Sequence, residues 1–174
     1  GHNSFVSSKA TNAVAIGSGS QALGESAIAL GHGSVASGKQ SISIGTGNNV
    51  SGNHSGAIGD PNTISGNGSY AMGNNNTITQ DNSFVLGNNV SIDAKASDMS
   101  AANGATFNGS IALGNGSTVS APVGTASTTI QGTKYDFAGS KPVGTVSVGS
   151  EGEERTVTNV AAGRISDVST DAIN

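Results

Sequence analysis

The sequence contains no cysteine and no tryptophan, and only 3% of its 174 residues are aromatic. Without cysteine no disulfide can hold the chain together, and the absence suits an oxidising cell exterior, where no thiol needs protecting. Without aromatics the usual way of filling a globular core is closed. Charge is scarce as well, at 10% of residues. Seven Lys and Arg against eleven Asp and Glu give a net charge of −4, and no basic stripe of the kind that nucleic acid requires. No apolar run approaches the length of a membrane-spanning helix, and no signal peptide is visible. The chain opens on "GHNSFVSS", already inside a repeat-like phrase, and so reads as an excised fragment. Glycine, serine, asparagine and threonine dominate. That composition suits disorder, but the low charge and the regular placing of the apolar residues argue for a solenoid.

The regularity is strict. Gly17, Gly31, Gly45, Gly59, Gly73 and Gly87 are spaced by 14 residues. Before them stand Ile16, Leu30, Ile44, Ile58, Met72 and Leu86, all large and apolar. Two residues earlier stand Val14, Ile28, Ile42, Gly56, Tyr70 and Phe84. Between the two rows lie Ala15, Ala29, Ser43, Ala57 and Ala71, then Val85. Alternation with period two predicts a strand, one face bulky and the other small. A second apolar position follows each Gly by five residues, at Ala22, Ala36, Val50, Ile64, Ile78 and Ile92. Asn, Ser and Gly fill the gap and predict tight turns.

Each rung therefore reads as strand, turn, short strand, turn, and successive rungs stack in register with parallel pairing. Fourteen residues suffice for a two-sided rung but not for a helix plus a strand. The expected fold is all-β, a narrow parallel β-roll. Its expected interior is the bulky row: Val14, Ile16, Ile28, Leu30, Ile42, Ile44, Ile58, Met72, Phe84 and Leu86. So few apolar side chains per rung cannot offset the entropy of ordering the chain. Rung stacking supplies part of the difference, and burial of an outer face against another chain the remainder. The small row, Ala15, Ala29, Ser43, Ala57 and Ala71, is the expected face for that close approach.

Beyond Gly87 the period slips. "SIALG" returns at 110–114 and "TVSVG" at 145–149. Residues 1–114 are read as head repeats with a degenerate stretch at about 92–109. Residues 115–149 are read as an insertion that leaves the roll and returns with a final repeat. Residues 150–174 carry the densest charge, and Ser169 or Thr170 is placed to cap a helix beginning at "DAIN".

Other motifs have plainer explanations. "GSGSQA", "GHGSVA" and "GNGSYA" fit a G-x-G-x-x-G/A pattern, but a strand rather than a helix follows each, so they read as turns. His32 and His54 occupy different places in the rung and form no ladder, and with His2 they read as solvated. The period of 14 and the isolation of Asp60 and Asp81 speak against a calcium roll. No G-x-S-x-G elbow occurs, and carboxylates are too sparse for a recurrent acid–base pair. No catalytic residue, metal or cofactor is expected. The acidic run Glu151, Glu153 and Glu154 beside Arg155 reads as a solvated surface, with an inter-chain ion pair as the alternative.

The phrase "NAVAIGSGSQALGESAIALGHGS" resembles the head of the YadA-like trimeric autotransporter adhesins, whose repeat is close to N-S-V-A-I-G followed by a Ser- and Gly-rich return. "RTVTNVAAGRISDVSTDAIN" resembles their neck, with Arg155, Asn159, Val160, Ala161, Ala162 and Gly163 followed by Thr170, Asp171, Ala172, Ile173 and Asn174. "YDFAG" before the last "VSVG" looks like the insertions of such heads, whereas "SIDAKASDMSAANGATFNGS" departs from the family's rung. The resemblance implies a left-handed roll, three of them packed as a homotrimer. It implies a neck that crosses between chains towards a coiled-coil stalk, and a place on the outer surface of a Gram-negative bacterium, anchored through C-terminal parts absent here.

A binding module follows: an adhesin head attaching to host matrix or cell-surface proteins through many weak contacts acting by avidity, with no direct membrane contact. The alternative is a structural spacer holding a distal tip away from the cell. An ice-binding face would need one threonine ladder, whereas that row mixes Gln21, Val35, Asn49, Thr63 and Thr77. The ligand and the face that binds it are left open.

Overall fold

The structure, a computed structural model, describes residues 1–93 and 107–172. It is a parallel β-solenoid of two sheets, with no helix among the described residues. One sheet has seven strands: β1 (Phe5–Val6), β3 (Gln21–Ala22), β5 (Val35–Ala36), β7 (Asn49–Val50), β9 (Asn62–Ile64), β11 (Asn76–Ile78) and β13 (Ser91–Ile92). The other has eight: β2 (Val14–Ile16), β4 (Ile28–Leu30), β6 (Ile42–Ile44), β8 (Gly56–Ile58), β10 (Tyr70–Met72), β12 (Phe84–Leu86), β14 (Ile111–Leu113) and β17 (Val146–Ser147). A detached antiparallel hairpin joins β15 (Ser127–Ile130) to β16 (Thr133–Asp136).

Register follows the 14-residue period from Val14 to Phe84. The first rung is longer, since Phe5 aligns with Gln21. After β12 the chain returns to the same sheet twice, Phe84 aligning with Ile111 and Ile111 with Val146. The stretch from 94 to 106, most of the degenerate segment, lies outside the described residues.

The recurring rung glycine has a steric cause. Gly31 sits at φ +127°, and a Cβ there would run into the carbonyl oxygen of Gly45 on the next rung. The same collision recurs at Gly45, Gly59 and Gly73, so no larger residue can occupy the position while rungs stack. The other turn uses a left-handed residue five positions before each glycine: Asn12, Ser26, Gln40, His54 and Asn82 all lie at φ 53–57°. His54 is thus turn filler, exposed like Gln40 and Asn82. The G-x-G pattern is turn chemistry too, with Gly19 and Gly33 in left-handed turn positions.

The interior reverses the expected facing. Ala29, Ser43, Ala57, Ala71, Val85 and Ala112 are buried inside the roll, opposite Ala22, Ala36, Val50, Ile64, Ile78 and Ile92. Ala15 is partly buried against the same interior. The expected core residues Val14, Ile16, Ile28, Leu30, Ile58, Met72 and Leu86 are exposed, and Ile42, Ile44 and Phe84 are half-buried on the same outer face. The expected assembly face, Ala15, Ala29, Ser43, Ala57 and Ala71, is therefore the lumen side. The cause is the short rung: two sheets closed by a few turn residues enclose too narrow a space for bulk from both. Ile64 and Ile78 accordingly face Ala57 and Ala71, and Val85 is the one larger residue of its row in the lumen.

Two apolar clusters make the core, one of Ala22, Ala27, Ala29 and Ala36 and a larger one from Val50 to Ala112. Between them lies a polar pair, Ser34 Oγ and Ser43 Oγ at 2.6 Å. At one corner Asn48, Asn62 and Asn76 form a buried ladder. Asn62 Nδ2 donates to Asn48 Oδ1 and Asn76 Nδ2 to Asn62 Oδ1, both at 2.9 Å. Each of the three Nδ2 groups also donates to the carbonyl of a rung glycine, Gly59, Gly73 or Gly87. Buried amides satisfied this fully cost little and fix the register of successive rungs.

Candidate subunit interface

Because β-strand side chains alternate, burying the small row on the eight-stranded sheet obliges the large one to face out. Two ladders result. One runs Val14, Ile28, Ile42, Gly56, Tyr70, Phe84, Ile111; the other runs Ile16, Leu30, Ile44, Ile58, Met72, Leu86, Leu113. Val14, Ile16, Ile28, Leu30, Ile58, Tyr70, Met72 and Leu86 are 37–56% exposed. With strands about 4.8 Å apart, the eight-stranded stripe is roughly 34 Å long. A continuous apolar surface of that length exceeds what a monomeric protein normally leaves in water. The first ladder breaks once. Gly56 has no side chain, and a Cβ there would stand 2.7 Å from Cδ1 and Cε1 of Tyr70.

The opposite sheet presents a different surface. Its outward row reads Phe5, Gln21, Val35, Asn49, Thr63, Thr77 and Ser91, polar and uncharged apart from Phe5 and Val35. Exposed amides run along the turns beside it: Asn75 Nδ2 donates to Asn89 Oδ1, and Asn53 N–H to Asn67 Oδ1.

At the C-terminal end the guanidinium of Arg155 lies against Gly114. It donates to Val148 O at 2.8 Å, Asn115 O at 2.7 Å and Ser117 Oγ at 3.4 Å. A solenoid's last rung leaves carbonyls without a following strand, and Arg155 supplies donors to them. The acidic neighbours do not pair with it. The Glu154 carboxylate accepts from Gly152 N–H, and backbone N–H groups of Glu154 and Gly152 hold its pKa below the ordinary range. An open cleft of about 480 Å³ beside Arg155 is lined by Thr145, Ser147, Ser150 and Glu151 among others.

Further on the chain is extended and exposed. Asn159 takes a left-handed φ of 58°. Val160 and Gly163 are half-buried, while Ala161, Ala162 and Ala172 are exposed; Ile173 and Asn174 lie outside the described residues. The loop from 164 to 171 is closed by a two-pronged ion pair. Arg164 Nε and Nη2 donate to Asp171 Oδ2 and Oδ1 at 2.7 and 2.9 Å, and Arg164 N–H to Oδ2 at 3.0 Å. Arg164 holds the Asp171 carboxyl below its usual range, and Asp171 raises Arg164. Ser169 Oγ accepts from Asp171 N–H, the geometry of a cap; residues 169–172 are nonetheless not helical.

Sequence reasoning missed Arg164, the capping role of Arg155 and the asparagine ladder. The ladder was visible as Asn48, Asn62 and Asn76, three residues after Gly45, Gly59 and Gly73, where the earlier rungs have Ser20 and Ser34. Among the described residues no cluster of His, Asp or Glu could hold a metal, and no helix is long and apolar enough to cross a membrane.

The family model described as the YadA head domain repeat (2 copies) matches residues 8–34, 36–60 and 65–89. The autotransporter adhesin BtaE of Brucella suis biovar 1 (strain 1330) is 66% identical over 59 residues, 34% of this chain and 8% of that protein. The chain thus matches only a small part of that relative's length. Among solved structures, the collagen-binding domain of the Yersinia adhesin YadA is similar with a TM-score of 0.55 and 24% identity, over 93% of this chain and 78% of that one. The C-terminal YadA-like domain of a Burkholderia pseudomallei protein matches with a TM-score of 0.43 and 39% identity, over 68% of this chain and 45% of that one.

Proposed function

We propose that this chain, whose residues 8–34, 36–60 and 65–89 match the YadA head repeat, is the head of a trimeric surface adhesin and binds host extracellular matrix or cell-surface proteins. The observation that carries the reading is the apolar stripe on the eight-stranded sheet. Two outward apolar rows, the first broken once at Gly56, need a cover, and a second and third copy supply one of the same length and chemistry. Packing of the stripes around a common axis would leave the polar seven-stranded sheets and the amide-lined turns facing outward on all three copies. Three identical long faces suit a partner that is itself extended, because weak contacts then add by avidity. Residues 150–174 are read as the neck of that head, with Arg155 joining neck to roll. The chain is a binding module in this reading, not an enzyme, and it stands on the bacterial surface.

The test is a screen of the purified chain against fibrillar and adhesive matrix proteins and glycans, with sedimentation equilibrium on the same sample. A trimer that binds at least one matrix protein supports the reading. A trimer that binds none would make this part of the molecule a spacer, and a folded monomer would overturn the assembly.

A further inference from the structure

The chain contains Asn–Gly steps at Asn67, Asn103, Asn108 and Asn115; the second lies outside the described residues. An asparagine followed by glycine is the pair most prone to lose its side-chain amide, because glycine has no side chain to keep its nitrogen from the asparagine Cγ. Here the reacting atoms are held apart by the preceding rung. Asn53 accepts from Gly68 N–H through its carbonyl at 2.9 Å and donates its own N–H to Asn67 Oδ1 at 2.9 Å. Asp81 treats the next step alike: its carbonyl accepts from Gly109 N–H at 2.9 Å, and its N–H donates to Asn108 Oδ1 at 2.9 Å. At the last step two neighbours share the work. Asn88 O accepts from Gly116 N–H at 2.9 Å, and Asn89 Nδ2 donates to Asn115 Oδ1 at 3.1 Å. Lys39 clamps Asn53 and His54 in the same way, so the device belongs to the turn, and only before a glycine does it guard a reactive pair. Asn67 and Asn115 are exposed and Asn108 is half-buried, so burial is not what shields them.

We propose that Asn67, Asn108 and Asn115 are modification sites kept latent by stacking, each losing its amide only while its rung is parted from the one before it. In the open rung the Gly68 nitrogen gives up its proton and bonds to Asn67 Cγ, and Nδ2 leaves with that proton as ammonia. Water then opens the cyclic imide at either carbonyl, giving aspartate or a β-linked aspartyl residue. In the closed rung the bond to Asn53 O holds the proton, and turning the side-chain amide towards the nitrogen breaks the bond from Asn53 N–H. Neither product restores the rung. The β-linked form lengthens the main chain by one atom inside a turn whose period sets the register. The aspartate form puts a carboxylate where Asn67 Nδ2 now donates to Asp81 Oδ1 at 3.3 Å, like charge against like. A transient opening is thereby recorded as a permanent one.

Openings at the end of a repeat stack cost less than openings in its middle, and at this end Arg155 Nη2 holds Asn115 O. The test incubates the full chain at mildly alkaline pH, with and without denaturing guanidinium, and follows the conversion of amide to acid at each site by peptide mapping and mass spectrometry. In denaturant the three sites should react as free peptides do. In the folded chain each should react roughly tenfold or more slowly, with Asn115 ahead of Asn67. Arg155→Lys should speed the reaction at Asn115 severalfold and leave Asn67 unchanged. Conversion in the folded chain at the denatured rate overturns the proposal, because stacking would then protect nothing. Equal slow rates at Asn67 and Asn115, unmoved by Arg155→Lys, also overturn it, because only global unfolding would then expose the sites. None of these readouts depends on what the chain binds.

Discussion

Ala57 and Ile58 are neighbours in one strand, the first buried in the lumen and the second 45% exposed on the outer stripe, so the same substitution at each should act by different routes. Ala57→Asp places a carboxylate among Val50, Ile64, Ala71 and Val85. A buried unpaired ion costs several kcal/mol even after relaxation, set against a total stability of about 5–15 kcal/mol. The variant should be largely unfolded at neutral pH. Its folded-state pKa would be raised by burial, above the unfolded value of about 3.9. Proton uptake therefore favours the folded form, and stability should return as the pH falls through the raised pKa. Ile58→Asp keeps its charge in water within one copy and costs about 1 kcal/mol or less in strand preference, but in the proposed trimer it sets like charges against each other. Its defect should shrink as protein concentration rises, whereas that of Ala57→Asp should be insensitive to concentration. Melting by circular dichroism at several concentrations and pH values separates the two. An Ala57→Asp protein that melts like the parent, or an Ile58→Asp defect independent of concentration, would refute the facing described here.

Arg155→Lys should lower the melting temperature and raise amide exchange in the last rungs, because a lysine cannot reach Val148 O and Asn115 O together; the loss should be about 1–3 kcal/mol. Asn62→Ala removes acceptor and donor from the middle of the buried ladder, leaving Asn76 N–H and Gly73 O without their side-chain partner; calorimetry should show a cost of about 1–3 kcal/mol for each group so orphaned. The Arg164–Asp171 clasp should respond to acid in the opposite sense to Ala57→Asp. The Asp171 pKa is lowered in the folded chain, so the stabilisation is present above the ordinary carboxylate pKa and is lost as pH falls through the lowered one. An NMR titration of the Arg164 amide should therefore stay flat down to the ordinary carboxylate range and move below it.

The period, the two strands per rung, the parallel register and the second apolar row from Ala22 to Ile92 were legible in the sequence, because each depends on spacing alone. Facing was not. Alternation places Ala29 and Ile28 on opposite sides of a sheet without saying which side is inside. The habit of placing bulk inside fails when the lumen is narrow, and the deciding clue was the partner strand. Ile64 and Ile78 already fill the lumen from the other side, so Ala57 and Ala71 are the residues that fit opposite. Arg155 was marked as a neck residue, but its use as a cap depends on where Asn115 and Val148 end the last rung. That is set by an insertion whose path no period predicts. The Arg164–Asp171 pair, seven apart in an extended loop, has no helical or strand spacing to reveal it.

The reversed facing changes what the roll's stability rests on. Inside, the N-terminal rungs pack little more than alanine against alanine, with a serine pair separating them from the bulkier half. The larger aliphatic side chains of those rungs, Val14, Ile16, Ile28 and Leu30, are outside and more than a third exposed. A rung whose lumen holds only methyl groups gains little from closing by itself, while it still pays the full entropy of ordering its backbone. Its apolar surface is withdrawn from water only when another surface covers the outer ladder. Dependence on assembly should therefore be graded along the roll, strongest at Val14–Leu30 and weakest near Ile64–Val85, where isoleucine and valine fill the lumen. Hydrogen exchange on diluted, dissociated protein would read that gradient directly: early loss of protection in β2 and β4, with β10 to β12 retained longest. Uniform loss along every rung would mean that the lumen contributes equally throughout, against the contrast between its alanine and isoleucine halves.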